Sequence, residues 1–279
     1  MIRYLLAPEY KDVHIPWILD PVLIGMLVTA AVVFVVLAGP LRSRLTESER
    51  VTPRQWVMFM GALVIAFVGE ASPLHDISER YLLSAHMVQH LLLSYLVAPL
   101  LILGTPGWMV RPFVLNRYVE PVFRAATKPI TAFFLFTIGL SLWHLPFVYE
   151  AALGDPFMHH TQHIVFLVLS LIMWWPLLST VPEFPRLSYG VAAFYMMAIP
   201  IGQLFASAIL TFSQVGIYPT YLEAPRIFGI DPVADQQIGG VIMKLGTFFT
   251  FVGPLLVVFM RWANEESPMR RAGTVRQQA

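Results

Sequence analysis

Two short stretches hold the residues whose types and spacing could do chemistry. SAHMVQHLLL, residues 84–93, carries His86 and His90; residues 141–176, SLWHLPFVYEAALGDPFMHHTQHIVFLVLSLIMWWP, carry His144, His159, His160 and His163. These are six of the eight histidines in a chain that has no cysteine. Helical residues four apart lie one above the other, about 6 Å along the axis. His86/His90 and His159/His163 therefore each present two imidazoles on one face, in the same His-x-x-Gln-His arrangement. His144, just before Pro146, enters from the end of another apolar segment. Neutral imidazole is the commonest protein metal ligand and suits copper, zinc, iron or nickel. Any one histidine can equally cap a helix or hydrogen-bond across a bundle, and His14 and His75 are assigned that role. Five at one depth in apolar segments are hard to explain by packing. The spacing is not that of a zinc peptidase, which needs Glu directly after its first His; Met87 and His160 stand there instead. Hydrolysis is disfavoured.

The neighbours of these histidines extend the same reading. Met87 and Met158 adjoin His86 and His159; thioether favours Cu(I), although Met as an apolar filler is the plainer role. Gln89 and Gln162 could orient imidazoles or bond across helices. Of the acids near that end, Asp76, Glu150 and Asp155 are expected in water and Glu70 is set apart as the exception. A last apolar segment opens Asp235-Gln236-Gln237-Ile238-Gly239-Gly240 and then holds Lys244 about two turns deep. A lysine there is costly unless paired, and Glu70 or Asp235 is the expected partner. The glycines permit close helix approach.

The elements that must position these groups are membrane spans. The chain has 279 residues, 57% hydrophobic and 13% charged, against about 25% charged in a soluble domain. A disulfide framework and a thiol nucleophile are excluded by the absence of cysteine. Seven stretches reach the roughly 20 apolar residues of a spanning helix, at 18–39, 54–70, 80–103, 129–148, 158–180, 188–213 and 236–260. The expected architecture is an all-α, seven-helix membrane bundle forming one polytopic domain over 1–279. A short outer segment precedes it (1–17, with no cleavable leader), and a basic tail follows at 263–279, its end from Met269 expected to be mobile. Arg42, Arg44, Arg50, Arg111, Arg117, Arg124, Arg186, Arg270 and Arg271 fall in alternate connections, which by the positive-inside tendency puts the N-terminus outside and the C-terminus in the cytoplasm. Every histidine then lies toward the outer side.

With these residues in view, the runs AHMVQHLLLSYLVAPLLILGTP, LWHLPFVYEAAL, HHTQHIVFLVLSLIMWWPLL and DQQIGGVIM, in that order, resemble the CtaG-like polytopic cytochrome c oxidase assembly family of bacterial membrane proteins. The resemblance covers about Ser72 to Pro254. It implies a non-enzymatic role in the bacterial inner membrane: maturing a haem–copper oxidase by delivering copper, as Cu(I) or Cu(II), to the CuB centre of subunit I. An extracytoplasmic copper chaperone and membrane lipid would be further partners, and nucleic acid none. His86, His90, His144, His163 and the Asp235-Gln236-Gln237 run match the family's motif positions, His159 matches less closely, and His160 is an addition. The expected ligand order is His90, His163, His86, His144, then His159, with Met87, Gln89, His160, Gln162, Asp235, Gln236 and Lys244 in supporting or transfer roles. Zinc and haem b rank behind copper. A bis-histidine haem b electron-transfer protein is the alternative function.

Overall fold

The computed structural model describes residues 15–44 and 49–277, with side chains described as far as Ala263; His14 and the rest of the first fourteen residues lie outside it. The described chain is helical. Its long helices are α1 (Pro21–Ala38), α2 (Pro53–Ala71), α4 (Leu83–Gly104), α9 (Pro156–Leu178), α10 (Tyr189–Phe212) and α12 (Pro232–Gln277). Between them lie the shorter α3 (Pro73–Arg80), α5 (Gly107–Val114), α6 (Glu120–Ala126), α7 (Pro129–Trp143), α8 (Pro146–Gly154) and α11 (Pro219–Glu223). Among the described residues six helices are long and apolar enough to cross a membrane, and α6 with α7, bent by 78°, makes up to seven. In hydrocarbon every backbone N–H and C=O must find a partner within the protein, which is why apolar runs of this length become helices.

The fourth expected span stops early, at Trp143. Pro146 forces Leu145 into an extended conformation (φ −65°, ψ 132°), so the helix ends at His144 and restarts as α8. The Arg-rich end has helical backbone through Gln277. Its Ala, Glu, Met, Arg and Gln residues are good helix formers.

Helix α4 sits at the centre, packed on α2, α3, α9 and α12, while α7 leans on α9. Its ladder is broken by a π-helical segment, Leu93–Val97, one turn after His90. The ring of Pro99 clashes with the carbonyl four residues earlier, that of Tyr95, and a widened turn is one way to relieve it. The indole of Trp174 donates to the Ser94 carbonyl (2.9 Å) and restores a bond there. By contrast α1 is the loosest element: among its residues only Phe34 is buried, stacked on Phe59 with ring centroids 3.9 Å apart.

Candidate metal centre

Helix caps and close helix contacts fix this end of the bundle in place. Asp155 caps α9, its carboxylate accepting from Met158 N (2.8 Å) with Pro156 in the first turn, so His159 and His163 start one and two turns in. The start of α4 has no cap of its own. Asp235 on α12 supplies it, accepting from Leu83 N at 2.6 Å and from the Ser84 hydroxyl. The next residue, Gln236, accepts from Ile217 N (2.7 Å), and Gln237 donates to the Ser213 carbonyl (3.0 Å). A Cβ on Gly240 would lie 2.4 Å from the Thr211 hydroxyl, so only glycine lets α12 sit this close to α10. The Asp-Gln-Gln run is thus spent on joining helices. It neither reaches the imidazoles nor pairs with Lys244.

The rings themselves converge. Centroids of His86 and His90 are 4.1 Å apart, and those of His159 and His163 4.3 Å. Across helices, His90 lies 5.7 Å from His163 and 6.1 Å from His144, and His86 lies 6.4 Å from His163. The paired faces of α4 and α9 therefore meet, with His144 at the side.

Hydrogen bonding sorts these rings into kinds. Nδ1 of His163 pairs with Glu70 at 2.5 Å, and Nδ1 of His144 with the Leu140 carbonyl at 2.7 Å. Each ring is held by one nitrogen, and its buried Nε2 has no hydrogen-bond partner. A carboxylate or carbonyl on one imidazole nitrogen, with the other left free, is the arrangement that orients metal-ligating histidines. His86, His90 and His159 go further, for both nitrogens of each are buried without a hydrogen bond. His160 differs: its Nδ1 is taken by the Pro156 carbonyl (2.6 Å) and its Nε2 by Asp20 (3.1 Å). Both of its ring nitrogens are already engaged.

Three acids and one histidine stand where the sequence did not put them. Glu79, absent from the expected site, reaches His159 Nδ1 at 3.2 Å with one oxygen and His86 Nδ1 at 3.9 Å with the other, without the alignment of a hydrogen bond. Burial raises its carboxyl to about 7. His75, assigned to a structural role, lies 5.4 Å ring to ring from His159, and His75, Glu79 and His159 bring ligand-type atoms within 4.8 Å of one another. His75 and Glu79 are four apart on the short helix α3, the same spacing that marked the other pairs. That was the signal available. Gln89 ties the group together: its amide nitrogen donates to Glu70 (3.0 Å) and to His75 Nδ1 (2.9 Å), and its oxygen accepts from Ser78. Burial lowers the basicity of His75, so with Nδ1 accepting, its proton sits on Nε2. Asp76, expected in water, is buried beside Arg80 (3.2 Å), because α3 lies flat on α4. Glu150, also expected in water, binds the Thr220 hydroxyl (2.7 Å).

Further expectations resolve individually. Lys244 donates to the Pro200 carbonyl (2.8 Å), beside the break at Gln203 in α10, where carbonyls leave the helical ladder. It pairs with neither Glu70, held by His163 and Gln89, nor Asp235. Gln162 is buried with no hydrogen bond on either amide atom, Met87 is buried, and Met158 is half-buried. A lateral groove of about 330 Å3 runs between α1, α2, α4 and α9. Its walls are apolar, and its polar end carries Asp20, Glu70, His75, His159, His160 and His163.

Comparison with known proteins gives the family of the chain. Two mycobacterial proteins, uncharacterized protein Mb0105 of Mycobacterium bovis and uncharacterized protein MT0111 of Mycobacterium tuberculosis, are each 22% identical over 200 residues. The match covers 66% of this chain and 30% of either relative, so the chain spans under a third of their length. No solved structure matches. The pattern of the cytochrome c oxidase caa3 assembly factor family (Caa3_CtaG) matches residues 32–265, and the chain belongs to that family.

Proposed function

We propose that this protein is a membrane copper carrier for oxidase assembly, which takes copper at the histidine end of the bundle and passes it to the CuB site of a haem–copper oxidase subunit I. The observation that carries this reading is the set of buried imidazole nitrogens without hydrogen bonds on His86, His90, His144, His159 and His163. Burying polar nitrogen unpaired costs free energy, and a bound ion would recover it. Membership of an oxidase assembly family names the context in which copper, among metals suited to imidazole, is the ion needed. Copper is cargo here, and no catalytic role is proposed. Three or four of the five rings suffice for one ion, and the rest serve transfer.

Arginine-rich connections at the opposite end of the helices favour an extracytoplasmic face for the histidines. An extracytoplasmic copper chaperone could load that face directly. The lateral groove brings the lipid phase up to His159 and His163, so a client could receive the ion within the bilayer.

Haem b is the second reading. Against it, His86/His90 and His159/His163 are pairs on single helices, suited to chelating one small ion rather than opposite faces of a macrocycle. The decisive experiment is metal analysis and an optical spectrum of protein purified from membranes. Stoichiometric copper, lost in His90→Ala and His163→Ala, supports the proposal; a Soret band with no copper replaces it with the haem reading. In a deletion strain, normal oxidase activity and full CuB occupancy would remove the delivery role.

A further inference from the structure

Below His90 and His144 lies a cavity of about 20 Å3, room for one water or one ion. The π-helical segment that begins at Leu93 widens α4 at this level. Two thioethers, Met87 and Met243, line the cavity together with the two imidazoles, and both are buried. His90 brings two nitrogens without hydrogen bonds and His144 one. Of the other polar groups, the Tyr95 hydroxyl accepts from Gln203 (2.5 Å) and Thr247 donates to the Gln203 side-chain amide oxygen (3.0 Å), while the Ser94 hydroxyl is buried in the lining without a hydrogen bond. No carboxylate reaches this cavity.

The donor set changes from the mouth inward. At the mouth, His75 and His159 stand with the carboxylate of Glu79. Around His86 and His163 the free donors are mainly imidazole, with one unpaired Glu79 oxygen 3.9 Å from His86 Nδ1. At the cavity they are imidazole and thioether. Soft thioether with imidazole selects Cu(I) among the metals that imidazole alone would accept. A site without a carboxylate also holds a monovalent ion at less cost than a divalent one, since no counter-charge is present.

We infer that the cavity is a cuprous site in which His90 and His144 bind Cu(I) together with the thioether of Met87, of Met243, or of both. The inference rests on the copper reading of the cluster above it and adds the oxidation state and the sulfur ligation. X-ray absorption at the copper edge, on the full-length protein loaded with Cu(I) without oxygen, tests it. The expected spectrum has a sulfur shell at about 2.3 Å, by analogy with zinc, beside the nitrogen shell. The double variant Met87→Leu/Met243→Leu, close to volume-conserving, should lose that shell and bind Cu(I) at least about tenfold more weakly in a chelator competition, with Zn(II) binding unchanged. Bound copper with a nitrogen-only shell in the wild type overturns this inference and leaves the cluster reading intact. Unchanged Cu(I) affinity in the double variant overturns it equally. Wild-type protein that binds no copper removes both.

Discussion

The two ends of the bundle treat their polar groups in opposite ways. At the arginine end the guanidinium groups are paired: Arg111 with Glu183 (2.7 Å), Arg124 with Glu120 (2.8 Å), and Arg186 with the Ser179 carbonyl (2.8 Å). These contacts are largely exposed, and such pairs add little to stability. At the histidine end the groups are buried, and ring after ring keeps a nitrogen unpaired. The contrast separates structure from function. On the copper reading proposed above, these open interior nitrogens are the ones that take the ion.

The largest expected break in that contrast is His163→Ala. It strands the Glu70 carboxylate, whose remaining partner is Gln89. Loss of one partner from a buried pair costs about 3–5 kcal/mol, so thermal unfolding in detergent should fall well below wild type and copper should be lost. Arg111→Ala, at the other end, should change neither.

The pH dependence of the metal-free protein comes next. Burial raises the Glu79 carboxyl from 4.5 to about 7. A carboxyl raised by folding contributes its full stability below pH 4.5, and that contribution is lost as pH rises through about 7. The effect is up to about 3 kcal/mol. Glu79→Gln keeps the neutral form, so it should gain on the wild type as pH rises from about 4.5 to about 7 and hold that gain above; parallel stability profiles would contradict this.

Asp235→Ala removes the borrowed cap from α4 and should cost about 1–2 kcal/mol, with copper affinity reduced because His86 and His90 lose their fixed register. Smaller still is Lys244→Met. Because Lys244 meets a carbonyl rather than a carboxylate, no buried charge is stranded, and a loss under about 1 kcal/mol with unchanged copper is expected. Finally, His160→Ala should leave copper stoichiometry untouched, since both its nitrogens are already engaged. Metal analysis of the matched variants measures all three.

Much of this was legible in the sequence, and the misses have physical causes. Hydropathy located the spans, and spacing of four put His86 with His90 and His159 with His163, because helical geometry is local. The same rule pairs His75 with Glu79, but α3 is too short and too polar to read as a span, so the pair does not stand out in the sequence. The role of Asp235 was not readable at all. A cap supplied from a helix some 150 residues away depends on packing, not on local spacing. The partner of Lys244 was misread for a related reason: the break at Gln203 that releases the Pro200 carbonyl has no proline at its own position, and the acids were the more visible candidates.

The widened turn at Leu93–Val97 has a consequence for how α4 can change. One extra residue within a turn advances everything below it by about 100° around the axis. The helix therefore carries two faces in different phase: His86 and His90 keep time with α9 above, while Tyr95 keeps time with Gln203 and Thr247 below. Deleting a single residue between His90 and Tyr95 would leave every side chain chemically intact and put the lower half out of step. A one-residue insertion or deletion in that segment is therefore expected to disturb the bundle more than a conservative substitution at any one of its positions.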